Sequence, residues 1–169
     1  MTSDVAQTEI RRLAAAKVAY RDLGPRVAER EPWALADDYG TGPEASWGPR
    51  EVLAHVAEML PYWLGELERV VDGDGGAPVP FGRMPDDPIR LGRIDRERTL
   101  PLRVLFDRID EGIDGWIARL ASLTEAERAR VGIHPRRGEM TVAAMPEVFV
   151  TGHVEDHVAQ LESILADAG

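Results

Sequence analysis

Cysteine is absent from the sequence. Disulfides, thiolate zinc sites, iron–sulfur clusters and a cysteine nucleophile are therefore excluded. Lysine is nearly absent too. Lys17 is the one lysine among 20 basic residues, and the arginine that replaces it, with abundant alanine and glycine, reads as GC-rich codon usage. Arginine clusters carry less functional weight for that reason. A basic surplus is also missing, since 20 Lys and Arg face 30 Asp and Glu for a formal charge of −10. That field repels phosphate, so nucleic acid is not an expected partner. No apolar run approaches the roughly 18 residues of a membrane span, so no membrane partner is expected either. The opening Met1-Thr-Ser-Asp-Val-Ala-Gln-Thr-Glu lacks the basic segment and apolar core of a signal peptide, and a cytoplasmic protein is expected.

What is present suits one domain over residues 1–169. A chain of this size buries about 70% of its unfolded surface and needs no structural metal to fold. Four segments carry helical periodicity. The first runs from about Val5 to Arg30, with Ile10, Leu13, Tyr20, Leu23 and Val27 on one side, and Gly24-Pro25 is expected to kink or interrupt it. The second starts near Gly48-Pro49, a good N-cap and first-turn pair. Its stripe is Val52, Val56, Leu60, Trp63, Leu67 and Val70; Pro61 should bend it, and Asp72-Gly-Asp-Gly-Gly ends it. A stretch from Gly73 to about Arg98, with five glycines and four prolines, reads as a long loop.

The third helix, about Thr99 to Leu123, has the seam Leu102, Leu105, Ile109, Ile113, Trp116, Leu120 and Leu123, with a short helical turn from Thr124. The fourth, about Thr141 to Ala166, carries Val150, Val154, His157, Leu161 and Ile164, with Pro146 early in it. No segment alternates with period two, so a sheet is not expected. An all-α four-helix bundle with a long loop between its second and third helices follows.

The sequence has four histidines, His55, His134, His153 and His157. His153 and His157 lie one helical turn apart, so both imidazoles can converge on one point. His55 lies at the margin of the second helix's apolar stripe, where a side chain points into a cleft between helices. The spacing alone fits hydrogen-bonded core or boundary histidines equally well.

Three stretches change that balance: Trp47-Gly-Pro-Arg-Glu-Val-Leu-Ala-His55-Val-Ala-Glu, His134-Pro-Arg-Arg-Gly-Glu-Met-Thr-Val, and Phe149-Val-Thr-Gly-His153-Val-Glu-Asp-His157-Val-Ala-Gln-Leu. In order and spacing they resemble the DinB-like (YfiT-like) superfamily of metal-dependent four-helix-bundle proteins, across most of the chain. The resemblance implies that His55, His153 and His157 bind a divalent metal, and that His134 is structural or belongs to the rim of the site. The sequence departs from the family pattern at Met145-Pro146, about a turn away from these positions. The family includes S-transferases that use mycothiol, bacillithiol or related thiols, and mycothiol-dependent maleylpyruvate isomerases. Its members often pair as homodimers, and a homodimer acting on a small molecule is expected here.

Three neutral imidazoles add no negative charge, so bound Zn²⁺ or Ni²⁺ keeps its Lewis acidity and leaves positions open for ligands. Such an ion can lower the pKa of water to about 7 or deprotonate a bound thiol. The leading expectation is a metal-dependent thiol S-transferase whose low-molecular-weight thiol is brought in, since the chain has none of its own. The alternatives are a metal-dependent hydrolase in the same pocket and a non-catalytic bundle that binds metal or a partner protein. Glu58, Glu155, Asp156 and Asp110 are the candidate carboxylates for orienting the imidazoles, though each also fits a solvated face. Arg83 and Arg90, with Arg93 and Arg96, could bind an anionic substrate or thiol cosubstrate, or simply balance Asp86, Asp87 and Asp95. Trp47, Trp63 and Trp116 read as core aromatics, with Trp47 also able to line the pocket.

Overall fold

A computed structural model describes residues 4–167. Four long helical segments occur where the three-and-four spacing places them. Helix α1 (Asp4–Ala28) runs without a break through Gly24-Pro25, correcting the expected interruption. Helix α2 (Pro49–Val71) starts on a Gly48 N-cap with Pro49 in its first turn and continues through Pro61. The third expected helix is α4 (Leu102–Ser122), and the fourth ends in α6 (Gly152–Asp167).

Pairs across the helix contacts give their directions. Lys17 meets Asp114 and Arg21 meets Asp110, so α1 and α4 are antiparallel. Arg12 meets Glu155 and Arg26 meets Glu162, so α1 and α6 run the same way. Trp116 Nε1 donates to the Leu60 carbonyl at 2.9 Å and Arg119 pairs with Glu68, so α2 and α4 are parallel neighbours. Each of α1 and α2 packs against both α4 and α6, and the consecutive helices α1 and α2 lie diagonally across the bundle. At the α2–α4 contact, a methyl group on Gly112 would stand 2.9 Å from Leu60 Cβ, so glycine permits the close approach.

The parallel pairing explains the long connection. A helix of 23 residues is about 35 Å long, and a chain that leaves one end of α2 to start a parallel neighbour must return over that distance. The expected loop from Gly73 to Arg98 is thus a crossover with structure of its own. It holds β1 (Val79–Pro80) and helix α3 (Pro88–Glu97). Helix α3 starts where Asp87 accepts from the Arg90 backbone N–H at 2.8 Å and Pro88 takes the first helical position.

A small sheet corrects the expectation that none would form. After α4 comes the turn of helix α5 (Glu125–Arg128), closed by a reciprocal Thr124–Glu127 capping box, and then β2 (Val131–His134) and β3 (Gly138–Thr141). β1 pairs parallel to β2 and β3 pairs antiparallel to it, with His134 opposite Gly138. Strands of two and four residues are too short to show alternation.

The fourth expected helix also begins differently. Val142–Ala144 form a 3₁₀ turn, and Glu147–Thr151 form a π-helical turn after Pro146 that leads into α6. Wide turns of this kind recur beside functional sites, and this one directly precedes His153. The core joins Leu13, Tyr20 and Leu23 to Val52, Leu60, Leu105, Ile109, Ile113, Trp116 and Leu161. Residues 51–60 of α2 are buried on every side. His55 is consequently interior, not at a margin.

Candidate metal centre

The first half of α2 and the start of α6 face each other, and three imidazoles meet between them. His55 Nε2 lies 2.9 Å from His153 Nε2, and His157 Nε2 lies 3.0 Å from the same atom. Glu44, on the 3₁₀ turn Glu44–Ser46 before α2, places Oε2 3.9 Å from both His55 Nε2 and His153 Nε2. The four ligand atoms lie within 4.8 Å of one another.

His55 and His157 are 3% and 5% exposed, while His153 is half-buried. Burial, reinforced by the Arg90 cation, holds His55 well below the ordinary histidine range. Burial and the neighbouring His153 lower His157 to about 4. Burial lowers His153 as well, against the pull of Glu44. All three rings are neutral at neutral pH, the form that ligates a metal.

Hydrogen bonds fix where one of the ring protons sits. Gln160 Nε2 can only donate, and it does so to the Glu44 backbone carbonyl at 2.9 Å. Its Oε1 therefore accepts from His157 Nδ1 at 2.8 Å, which leaves the His157 Nε2 lone pair bare. Arg90 Nη2 lies 3.4 Å from His55 Nδ1, at the outer limit of a hydrogen bond. The Nε2 atoms of His153 and His157 face each other at 3.0 Å. A cation held there would accept the lone pairs of all three rings at one point. Two nitrogens bound to one ion at about 2.0–2.1 Å stand about 2.9–3.4 Å apart for bond angles of 90–110°. The donor set fits a divalent ion.

A cleft of about 460 Å³ opens from this cluster, lined by Glu44, His55, Trp63, Arg90, Phe149 and His153 among others. Arg83 and Arg90 both reach it, but both are engaged. Arg83 forms a two-point pair with buried Glu58 at 2.5 and 2.7 Å and lies over the Tyr62 ring. Arg90 holds Glu44 Oε1 and donates to the Pro85 carbonyl at 2.8 Å. Arg93 pairs with Glu97 instead.

None of the four carboxylates expected to orient the histidines hydrogen-bonds one. Glu58 is taken by Arg83, Glu155 by Arg12, and Asp110 by Arg21 and Lys17. Asp156 acts on His153 and His157 only through its charge. Gln160 does the orienting, and its place three residues after His157 is a signal available in the sequence. Glu44 has no such signal, because it comes from a loop with no fixed spacing to any histidine. Trp47 is buried with its ring edge-on to His55, 5.6 Å between centroids, and backs that imidazole without lining the cleft. His134 stands at the cleft's rim.

Comparison with known proteins agrees with this fold. The chain resembles a solved structure of YfiT from Bacillus subtilis, described as a probable metal-dependent hydrolase with an unusual four-helix bundle topology. The TM-score is 0.75 at 15% identity, over 100% of this chain and 90% of that one. At that identity the likeness establishes the fold. A search among curated proteins gave no match. The model of the DinB superfamily matches residues 7–161, nearly the whole sequence, and the chain belongs to that superfamily.

Proposed function

We propose that this chain is a divalent-metal-dependent hydrolase of small amides or esters, with His55, His153 and His157 as metal ligands and Glu44 as the proton acceptor. The observation that carries the reading is a free carboxylate oxygen, Glu44 Oε2, turned toward three converging neutral imidazoles. Neutral nitrogen donors suit Zn²⁺ or Ni²⁺, and either ion supplies Lewis acidity that polarises a carbonyl and makes water more acidic. YfiT, described as a probable metal-dependent hydrolase, supports the same direction.

The chain's own groups then have distinct tasks. Gln160 fixes the His157 ring through Nδ1, and Arg90 holds Glu44 by its other oxygen, so Oε2 keeps its direction. Glu44 accepts a proton from water as the water oxygen bonds to the substrate carbonyl carbon. It returns that proton to the nitrogen or oxygen that leaves. The products are a carboxylic acid and an amine or alcohol.

The second reading is a thiol S-transferase. A cleft of about 460 Å³ favours it, being wide enough for a cosubstrate to lie beside the electrophile. Nucleophile competition separates the two. Metal-loaded protein is offered amide and ester substrates with and without low-molecular-weight thiols, beside a His55/His153/His157 triple alanine variant. Turnover in water alone supports the hydrolase, and turnover only with thiol supports the transferase. Equal, substoichiometric metal in wild type and variant would remove the site assignment.

A further inference from the structure

The cationic residues of the cleft are not equivalent. Arg83 is neutralised by Glu58 and Arg90 by Glu44. Arg136 and Arg137 line the same cleft, both exposed, and among the described residues no ion pair involves either. They form the tip of the β2–β3 hairpin, whose three-residue loop Pro135-Arg136-Arg137 is closed by Gly138 at φ +74°. That conformation favours glycine, and it fixes the direction in which the hairpin turns.

The tip is held in place over the cleft. His134 Nδ1 accepts from the Arg136 backbone N–H at 3.2 Å. The buried His134 ring packs against Phe149 at 5.0 Å and Trp63 at 6.1 Å. Gly82, at φ +86°, makes room for that ring, since a methyl group there would stand 2.3 Å from His134 Cδ2. Trp63 and Phe149 are themselves stacked, 4.3 Å between centroids and 16° between planes. The Arg137 guanidinium lies 5.6 Å from the Phe149 ring centroid. Aromatic faces thus line the cleft between the imidazole cluster and a pair of free guanidinium groups.

We propose that Arg136 and Arg137 select substrates that carry an oxyanion, a carboxylate or a phosphate, on a flat apolar body. The proposal rests on the hydrolase reading for its reacting bond and adds the substrate class. The cleavable carbonyl faces the imidazoles, the apolar body lies along Trp63 and Phe149, and the oxyanion meets the guanidinium forks, whose planar donors match both groups. A positive rim in a chain of charge −10 is a local inversion of the overall field, so it discriminates against neutral analogues.

Calorimetric titration of the metal-loaded protein with benzoate, phenyl phosphate and neutral benzamide tests the proposal, repeated with an Arg136→Ala/Arg137→Ala double variant. Arg103→Ala, an exposed residue of α4 outside the cleft, is the control. At least one acid should bind about tenfold or more tightly than benzamide. The double variant should lose that preference, while metal content, melting temperature and benzamide binding stay unchanged. Equal binding of acid and amide overturns the proposal, as does a preference that survives in the double variant. A retained preference without turnover of any ester or amide rejects the hydrolase reading alone. Equal turnover of acidic and neutral substrates rejects the oxyanion rim alone.

Discussion

The two sides of the bundle treat charge in opposite ways. Along α1 and α4 the contact is made by Leu13, Tyr20 and Leu23 against Leu105, Ile109 and Ile113, and the ions stay outside, in the cluster of Lys17 and Arg21 with Asp110 and Asp114. Between α2 and α6 the chain instead buries His55, His157 and Glu58. Removing polar groups from water is unfavourable unless each finds a partner. On the first side an apolar seam does the helix packing. On the second the sequence retains buried polar groups where apolar ones would pack more readily, and the partners they find are arginine, glutamine and each other. Inward-facing polarity, more than the wider pattern of surface charge, marks the working face.

The sharpest way to break this contrast is to remove a histidine. His157→Ala should lower metal content well below that of wild type and abolish hydrolysis, as measured by elemental analysis and turnover. Glu44→Gln comes next. It should retain metal and reduce kcat by about 10²–10⁴-fold, the usual contribution of a general base. Retained activity would put Glu44 outside the reaction.

Stability separates the two sides more directly. Glu58→Ala leaves the partly buried Arg83 without its carboxylate and should destabilise the fold by about 2–3 kcal/mol in chemical denaturation. Asp110→Asn, in the partly exposed cluster on α1 and α4, should leave the denaturation midpoint close to that of wild type. Similar losses for the two variants would erase the comparison.

A further expected effect is in pH. The buried His157 has a folded pKa lowered to about 4, against about 6.5 unfolded. The unfolded chain therefore binds more protons in this interval. The melting temperature of metal-free protein should fall as pH drops from 6.5 toward 4 and stay level, for this group, above 6.5. His157→Gln should flatten that slope, and an unchanged slope would assign it to other residues.

The same division decides what could be read in the sequence. Seams such as Leu102-Leu105-Ile109-Ile113-Trp116 are legible because each position faces the same neighbour along a whole helix. His55, His153 and His157 meet as their helical positions and the family resemblance imply. The crossover was harder to read. Helix α3 buries only Arg90 and Ile94, too few for a periodic stripe, although Asp87-Pro88 is a serviceable start signal. The carboxylates near the histidines were equally opaque, because long arginine side chains from other elements capture Glu58, Glu155 and Asp110. Glu44 arrives from a turn whose path depends on tertiary packing.

The antiparallel meeting of α2 with the last helix also bears on when the site can exist. His55 and His153 are 98 positions apart in the chain, and Gln160, which orients His157, lies later still. During synthesis the second helix is complete long before its partners emerge, so no three-histidine centre can form until the final helix docks. An ion held by all three would close that long loop and favour the docked state over the open chain. Metal capture would then be a late checkpoint on assembly, and a chain truncated before His153 would lose the centre while keeping most of its core.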